Sequence, residues 1–341
     1  MVNKNKTILV TGGAGYVGST FIRNALFAGY HVRCLDLLIY SGKPIIGFIN
    51  HPNFEFVHGD IRDKITVNKC LENVDYVVHL AAIVGDKPCQ VAPKSAYQIN
   101  FKGTQILADL AKKAKIKRFI FASTCSNYGI SNPNQLATEE SVLNPVSLYA
   151  ETKIDSESYL SSISDNKFLA TSLRFGTAYG VSFRTRFDLT VNSFAYEAWT
   201  SNEIIVFAAD TWRPYIHVSD MSLIILRLIE CDKKETNGTI YNSGFTSENY
   251  TKKGIVEILA KLMPELKVKY IDNIDDRRDY RVSFEKVEFL LNLKPTKTVE
   301  DGYRELLHCF QNGIITGSEY DANNLDTITE FFGKNEKYLS N

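Results

Sequence analysis

Thr7-Ile8-Leu9-Val10-Thr11, followed by Gly12-Gly13-Ala14-Gly15-Tyr16-Val17-Gly18, is the stretch on which the reading of this chain turns. A short apolar run enters a cluster of glycines, and an amphipathic stretch continues to Phe27. That is strand, tight turn and helix in succession. Glycines 13, 15 and 18 satisfy G-x-G-x-x-G, while 12, 15 and 18 satisfy the G-x-x-G-x-x-G variant. Either spacing lets backbone N–H groups and a helix N-terminus approach a pyrophosphate. A glycine cluster by itself is equally a structural turn, and the strand before it and the helix after it favour the dinucleotide. Gly12, Gly15, Tyr16, Val17 and Gly18 are the candidate contacts.

Working outward, His31 to Asp36 is a second strand ending in a carboxylate, 18 residues beyond Gly18. An acid there accepts hydrogen bonds from ribose hydroxyls and repels a 2′-phosphate, so Asp36 favours NAD over NADP. Phe54–His58 is a third strand with Asp60 and Ile61 just past its carboxyl end, where open α/β sheets bind ligands. Residues 75–82, 117–122 and 168–174 supply three more strands, with a helical pattern over 104–115. Alternating strands and helices predict an α/β fold: a doubly wound parallel sheet with right-handed crossovers.

The chemistry is expected in Phe119 to Lys153. Thr124 ends a strand, and Tyr149 and Lys153 stand four residues apart, on one face of a helix. A free phenol, with a pKa of about 10, is a poor base at neutral pH, and a nearby cation favours its phenolate. Lowering that pKa by ~3 units takes roughly 4 kcal/mol, within reach of a lysine plus an oxidised nicotinamide. Thr124 would hydrogen-bond the reacting oxygen. Tyr-x-x-x-Lys alone is a common solvated helix face, and it gains meaning from the glycine turn upstream. His79, alone in an apolar strand, reads first as structural.

The 341 residues are 44% hydrophobic and 23% charged, ordinary for a globular protein. Lys plus Arg and Asp plus Glu balance at 39 each, so no bulk positive field favours nucleic acid or an anionic membrane. Six cysteines form no Cys-x-x-Cys pair and suggest neither a metal site nor a disulfide framework. No apolar run reaches the ~18 residues a membrane span needs, and no signal core opens the chain. A cytoplasmic enzyme is the expectation.

Past Gly180 the alternation breaks. A helical segment is expected from Arg184 through Thr200, then short strands at 203–207 and 215–218 separated by Trp212-Arg213-Pro214. Residues 239–244 suit a return to the sheet, and helices are expected over 252–262, 284–291 and 299–311. The division drawn is 1–180 for cofactor and catalysis, 181–317 mainly a substrate lobe, and 318–341 a polar tail without assigned role.

Across residues 7 to 312 these motifs resemble the extended short-chain dehydrogenase/reductases, in particular their nucleotide-sugar epimerases, dehydratases and 4-dehydrogenases. The resemblance implies a Rossmann sheet with a smaller C-terminal substrate-binding lobe, NAD as cofactor, a nucleotide-sugar substrate and a homodimer. It places Thr124, Tyr149 and Lys153 on the catalytic Ser/Thr, Tyr and Lys, and adds Leu80, Ala81, Ala82 and Asn100 to the cofactor side. It implies substrate contacts from Val84, Thr124, Ser126, Thr177, Arg213 and Arg278. The two arginines would clamp a diphosphate, a task suited to an always-charged, bidentate guanidinium.

Two departures bear on the reaction. Thr177 stands where the family usually has Asn, and Cys125-Ser126 follow Thr124 where dehydratases resemble Thr-Asp-Glu. Loss of water is therefore disfavoured, and NAD-dependent oxidation at C4 is expected, with hydride return (4-epimerase) or release of the 4-keto sugar. Cys125 reads first as a packing residue. The alternative from another class is a non-catalytic NAD-sensing protein, which the presence of all three catalytic residue types argues against.

Overall fold

The computed structural model describes residues 6–132, 134–231, 238–272, 278–316 and 324–333. Five strands open the chain: β1 (Thr7–Thr11), β2 (His31–Asp36), β3 (Phe54–His58), β4 (Tyr76–His79) and β5 (Arg118–Thr124). Then follow β6 (Leu136–Ala137), β7 (Leu169–Phe175), β8 (Thr177–Tyr179), β9 (Glu203–Phe207) and β10 (Trp212–His217). The last four are β11 (Ile240–Ser243), β12 (Asn249–Thr251), β13 (Lys267–Ile271) and β14 (Arg281–Val282).

Seven of these form one parallel sheet in the order β11-β7-β5-β4-β1-β2-β3. Its strands are apolar on both faces because helices cover both. On the sheet, Ile8 and Val10 pack beneath α1 (Tyr16–Phe27), while Leu9 packs on the opposite face, which α2 (Lys64–Cys70) covers. The connections between α2 and β5 include α3 (Asp86–Val91), α4 (Pro93–Tyr97) and α5 (Thr104–Lys113). Between α4 and α5 a π-type turn, Gln98–Gly103, widens the helix. The long α6 (Leu148–Ile163) starts at Ser147, whose hydroxyl accepts the Ala150 N–H at 3.3 Å.

The second core belongs to the remaining elements. It is built from α7 (Thr190–Ser201), α9 (Lys252–Leu262) and α11 (Val299–Gln311) around Tyr215, Tyr303 and Leu306. Between them α8 (Val218–Glu230) packs against α1 on the main sheet, and α10 (Glu285–Leu291) adjoins β11. The last described stretch holds α12 (Asn324–Ile328), and buried Ile328 and Phe332 join the core around Leu107 and Ala108.

Two expectations are corrected. The helix expected from Arg184 begins only at Thr190, because Ser182 N donates to Thr185 Oγ1 at 3.2 Å and Arg186 forks onto Asp188, holding 182–188 in turns. Trp212-Arg213-Pro214 is strand rather than spacer: these residues pair β12, and Tyr215 to His217 pair β8 on the other side. Pro214, which has no N–H to donate, sits where pairing changes sides.

The glycine turn is packed closely enough to exclude side chains. A Cβ on Gly18 would stand 2.3 Å from Gly12 O and 2.7 Å from Gly13 Cα, and one on Gly12, at φ +73°, would meet Ala81 N at 2.6 Å. Gly18→Ala must therefore push backbone apart, at a cost of about 1–3 kcal/mol. A lowered melting temperature in calorimetry is the expected result.

Candidate functional site

The carboxyl ends of the sheet strands open into one cleft, lined from the glycine turn across to the start of the second core. Gly12, Gly15 and Gly18 face it, whereas the space a Cβ would take at Gly13 is filled by Cys34 Sγ at 2.5 Å. The G-x-x-G-x-x-G spacing is thus the one that shapes the cleft. The N-terminus of α1 points its free N–H groups there with no side-chain cap, an arrangement suited to an anion. Tyr16 and Val17 line the same wall, and the Tyr16 hydroxyl donates to Gly180 O at 2.7 Å, tying the turn to the far side.

Asp36 lies at the end of β2 and accepts from Ala14 N at 2.9 Å and Leu38 N at 2.8 Å. Burial raises its pKa, and those two N–H groups oppose the rise. Each carboxylate oxygen keeps a lone pair for a further donor. Asp60 is gripped by Arg62 at 2.6 Å, with Ile61 beside it on the cleft wall. Leu80, Ala81 and Ala82 continue that wall past β4.

Asn100 is not among the lining residues. It is 1% exposed, and its amide accepts from Ile83 N at 2.8 Å and donates to Ile83 O at 3.0 Å, pinning the loop after β4 from behind. His79 is likewise behind the wall, with Nδ1 2.7 Å from Thr11 Oγ1 and Nε2 2.8 Å from Thr104 Oγ1. Burial, with the charge of Lys153, lowers its pKa to about 3, so it is a neutral clamp between strands and α5.

Thr124, Tyr149 and Lys153 converge on one side of the cleft. The Lys153 ammonium donates to Ala122 O at 2.7 Å, lies 4.6 Å above the Phe121 ring and 5.9 Å from the Tyr149 ring centre. Burial draws its pKa down to about 8. Burial also pushes the Tyr149 phenol up, with Cys89 and Asp86 adding to the rise and Arg186 and a Thr124 hydrogen bond opposing it. Within the chain, desolvation thus outweighs the cations.

The substrate-side candidates divide. Val84, Ser126, Thr177 and Arg278 line the cleft. Arg213, 5% exposed, does not: it donates to Trp212 O at 2.6 Å and lies 5.1 Å over the ring of Tyr280, which faces the cleft. Arg278 forms an ion pair with Asp86 at 3.2 Å across the cleft mouth. Arg277 falls outside the described residues. Cys125 is buried, and its thiol donates to Arg174 O at 3.1 Å, its pKa raised well above the usual range by burial. That is a packing role.

The lining residues that were not expected from sequence include Tyr40, Asp86, Arg184 and Arg186. Arg184 stacks 3.7 Å over Tyr40, and Arg186 pairs with Asp188 at 2.7 Å. Two arginines two positions apart point to nearly opposite faces of a helix. Both reach the cleft because residues 182–188 leave the helix in turns.

Among the described residues no group of three His, Cys, Asp or Glu side chains is arranged to hold a metal, and no helix is long and apolar enough to cross a membrane. The cradle fits a dinucleotide: a turn closed to any Cβ, uncapped N–H groups for phosphate, and a carboxylate at the end of the next strand.

Comparison with known proteins agrees. A low-salt glycan biosynthesis protein of Haloferax volcanii is 30% identical over 241 residues, 70% of this chain and 76% of that protein. A UDP-glucose 4-epimerase of Bacillus subtilis is 27% identical over 278 residues, 75% of this chain and 81% of the other. The crystal structure of a dTDP-glucose 4,6-dehydratase from Bacillus anthracis in complex with NAD superposes with TM-score 0.79 at 25% identity, covering 92% of this chain and 99% of that one. Residues 8–244 match the NAD dependent epimerase/dehydratase family. The chain belongs to that family, and is an NAD-dependent enzyme on its Rossmann fold.

Proposed function

We propose that this enzyme oxidises C4 of a nucleotide-activated sugar, with Tyr149 taking the C4 hydroxyl proton, Thr124 hydrogen-bonding the reacting oxygen and Lys153 stabilising the phenolate. The convergence of these three residues on the cleft of the glycine turn carries the reading. NAD supplies the hydride acceptor and, in its oxidised form, a positive ring that favours the phenolate. Burial of Tyr149 keeps its proton in place until that charge arrives, and the same phenol then has a proton to give back to a 4-keto group. Return of hydride to the opposite face yields the C4 epimer, and departure of the 4-keto sugar makes the enzyme a 4-dehydrogenase.

Support for this reaction over dehydration comes from the strand end itself. Cys125 is turned away and Ser126 faces the cleft, so no Asp-Glu pair stands there to expel a hydroxyl. The relatives' substrates, glucose activated by UDP or dTDP, favour a nucleotide diphosphate as the handle. Arg278 at the cleft mouth is placed to meet it, exchanging Asp86 for phosphate, with Arg213 stacked behind Tyr280 as support.

The test follows nicotinamide reduction, and formation of the C4 epimer, while UDP-, GDP-, CDP- and dTDP-glucose are offered in turn. At least one should be oxidised, and Tyr149→Phe, which keeps the ring and loses the hydroxyl, should abolish hydride transfer while NAD still binds. Near-parental turnover in that variant means another group takes the proton.

A second expectation concerns the diphosphate. A charge-assisted hydrogen bond contributes about 1.5–3 kcal/mol, so Arg278→Ala should weaken UDP, GDP, CDP or dTDP binding roughly ten- to a hundredfold. Arg213→Ala should weaken it less, and NAD affinity should hold in both. Calorimetry with the four nucleotides decides: unchanged affinity in both variants removes the clamp.

A further inference from the structure

Behind the strand end that carries Thr124 lies a buried polar cluster that the chemistry above does not use. Glu157, one helical turn past Lys153 on α6, is 1% exposed, and Arg174 on β7 is 2% exposed. The guanidinium forks onto the carboxylate, Nη2 to Oε2 at 2.7 Å and Nε to Oε1 at 3.0 Å. The same Oε1 accepts from the hydroxyl of Ser123, the residue before Thr124, and from Asn127 Nδ2 at 3.0 Å in the turn after it. Arg174 Nη1 donates to the Tyr128 hydroxyl at 3.1 Å. One carboxylate thus joins α6, β5, β7 and the turn between Thr124 and Tyr128.

Stability alone is a weak reason for such a pair, because desolvating two charges costs about as much as their attraction returns. Its location supplies a better one. Besides the Ala122 carbonyl and the Phe121 ring, four titratable groups interact with the Lys153 ammonium: Tyr149 and Glu157 on its own helix, Cys89 on α3 and His79 on β4. Burial raises the Cys89 thiol to about 12, lowers His79 to about 3 and raises the Tyr149 phenol, so all three are uncharged near neutral pH. Of these four, Glu157 is the anion.

We propose that Glu157 is a positioning residue for hydride transfer: clamped by Arg174, its carboxylate holds the Ser123–Thr124 strand end against Tyr149 and Lys153 and keeps the lysine charged. This rests on the reading of Thr124, Tyr149 and Lys153 as the catalytic trio. Catalysis falls steeply when reacting groups are displaced by as little as an ångström, so the clamp acts on rate more than on binding.

The test uses the full-length enzyme, NAD and the glucose nucleotide of the four that reduces it fastest. In Glu157→Gln, kcat should fall about tenfold or more with KM for NAD within about twofold of the parent. An alkaline limb of the rate set by loss of the Lys153 proton, whose pKa burial draws down to about 8, should move further down. Both effects of the change, losing the anion and leaving Arg174 uncompensated, act in that direction. Glu157→Gln/Arg174→Met removes the stranded guanidinium, and its kcat should stay low with the limb still below the parent's. Ser123→Ala, a milder change that severs one link, should lower kcat several-fold and leave KM and the limb in place.

Parental kcat and limb in either Glu157 variant that folds overturn the proposal. If neither folds, parental kcat in Ser123→Ala overturns it. Failure of all four sugars, or parental turnover in Tyr149→Phe, instead removes the catalytic reading and this inference with it.

Discussion

Parallel pairing constrains everything else in this protein. When neighbouring strands run the same way, their carboxyl ends share one edge, so the glycine turn after β1, Asp36, Asp60, Leu80 to Ala82 and Thr124 meet although they are scattered over the first half of the chain. The cleft is a consequence of that edge. What closes its far side is the Tyr16 hydroxyl on Gly180 and the turn-bound arginines 184 and 186, contributed by the segment that leaves β7 before the chain returns to the sheet at β11.

The cleft also explains how its chemistry is held in check. Burial works on Tyr149 and Lys153 in opposite senses, raising the phenol and lowering the ammonium, so neither takes its reactive charge cheaply. The Thr124 hydrogen bond, the charge of Arg186 and the carboxylate of Glu157 push back. A site poised this way responds to charge arriving with its ligands.

Much of the sheet was legible because its signals are local. Apolar runs bounded by glycines and acids mark β1 to β3, and α9 and α11 fall where the helical pattern put them. Residues whose placement depends on distant partners were not legible. Arg184 and Arg186 follow a turn whose Ser182 hydroxyl is anchored on Tyr16 O at 2.6 Å, and Pro214 needed two different neighbours to be tolerated within a strand. The two-residue β6–β14 pairing joins positions 136 and 281, too short for any pattern. Asn100 and Arg213 sit one layer behind the cleft, a distinction of depth that no motif encodes.

The central claim is that the hydrogen lost from the substrate is the one on C4. UDP-, GDP-, CDP- and dTDP-glucose carrying deuterium at C4 should each be mixed with the enzyme and NAD in a single turnover, with nicotinamide reduction followed optically. The account predicts that for the accepted sugar the label appears on the nicotinamide and that reduction is slower than with the unlabelled sugar. Reduction without transfer of the label, or no reduction by any of the four, would contradict it.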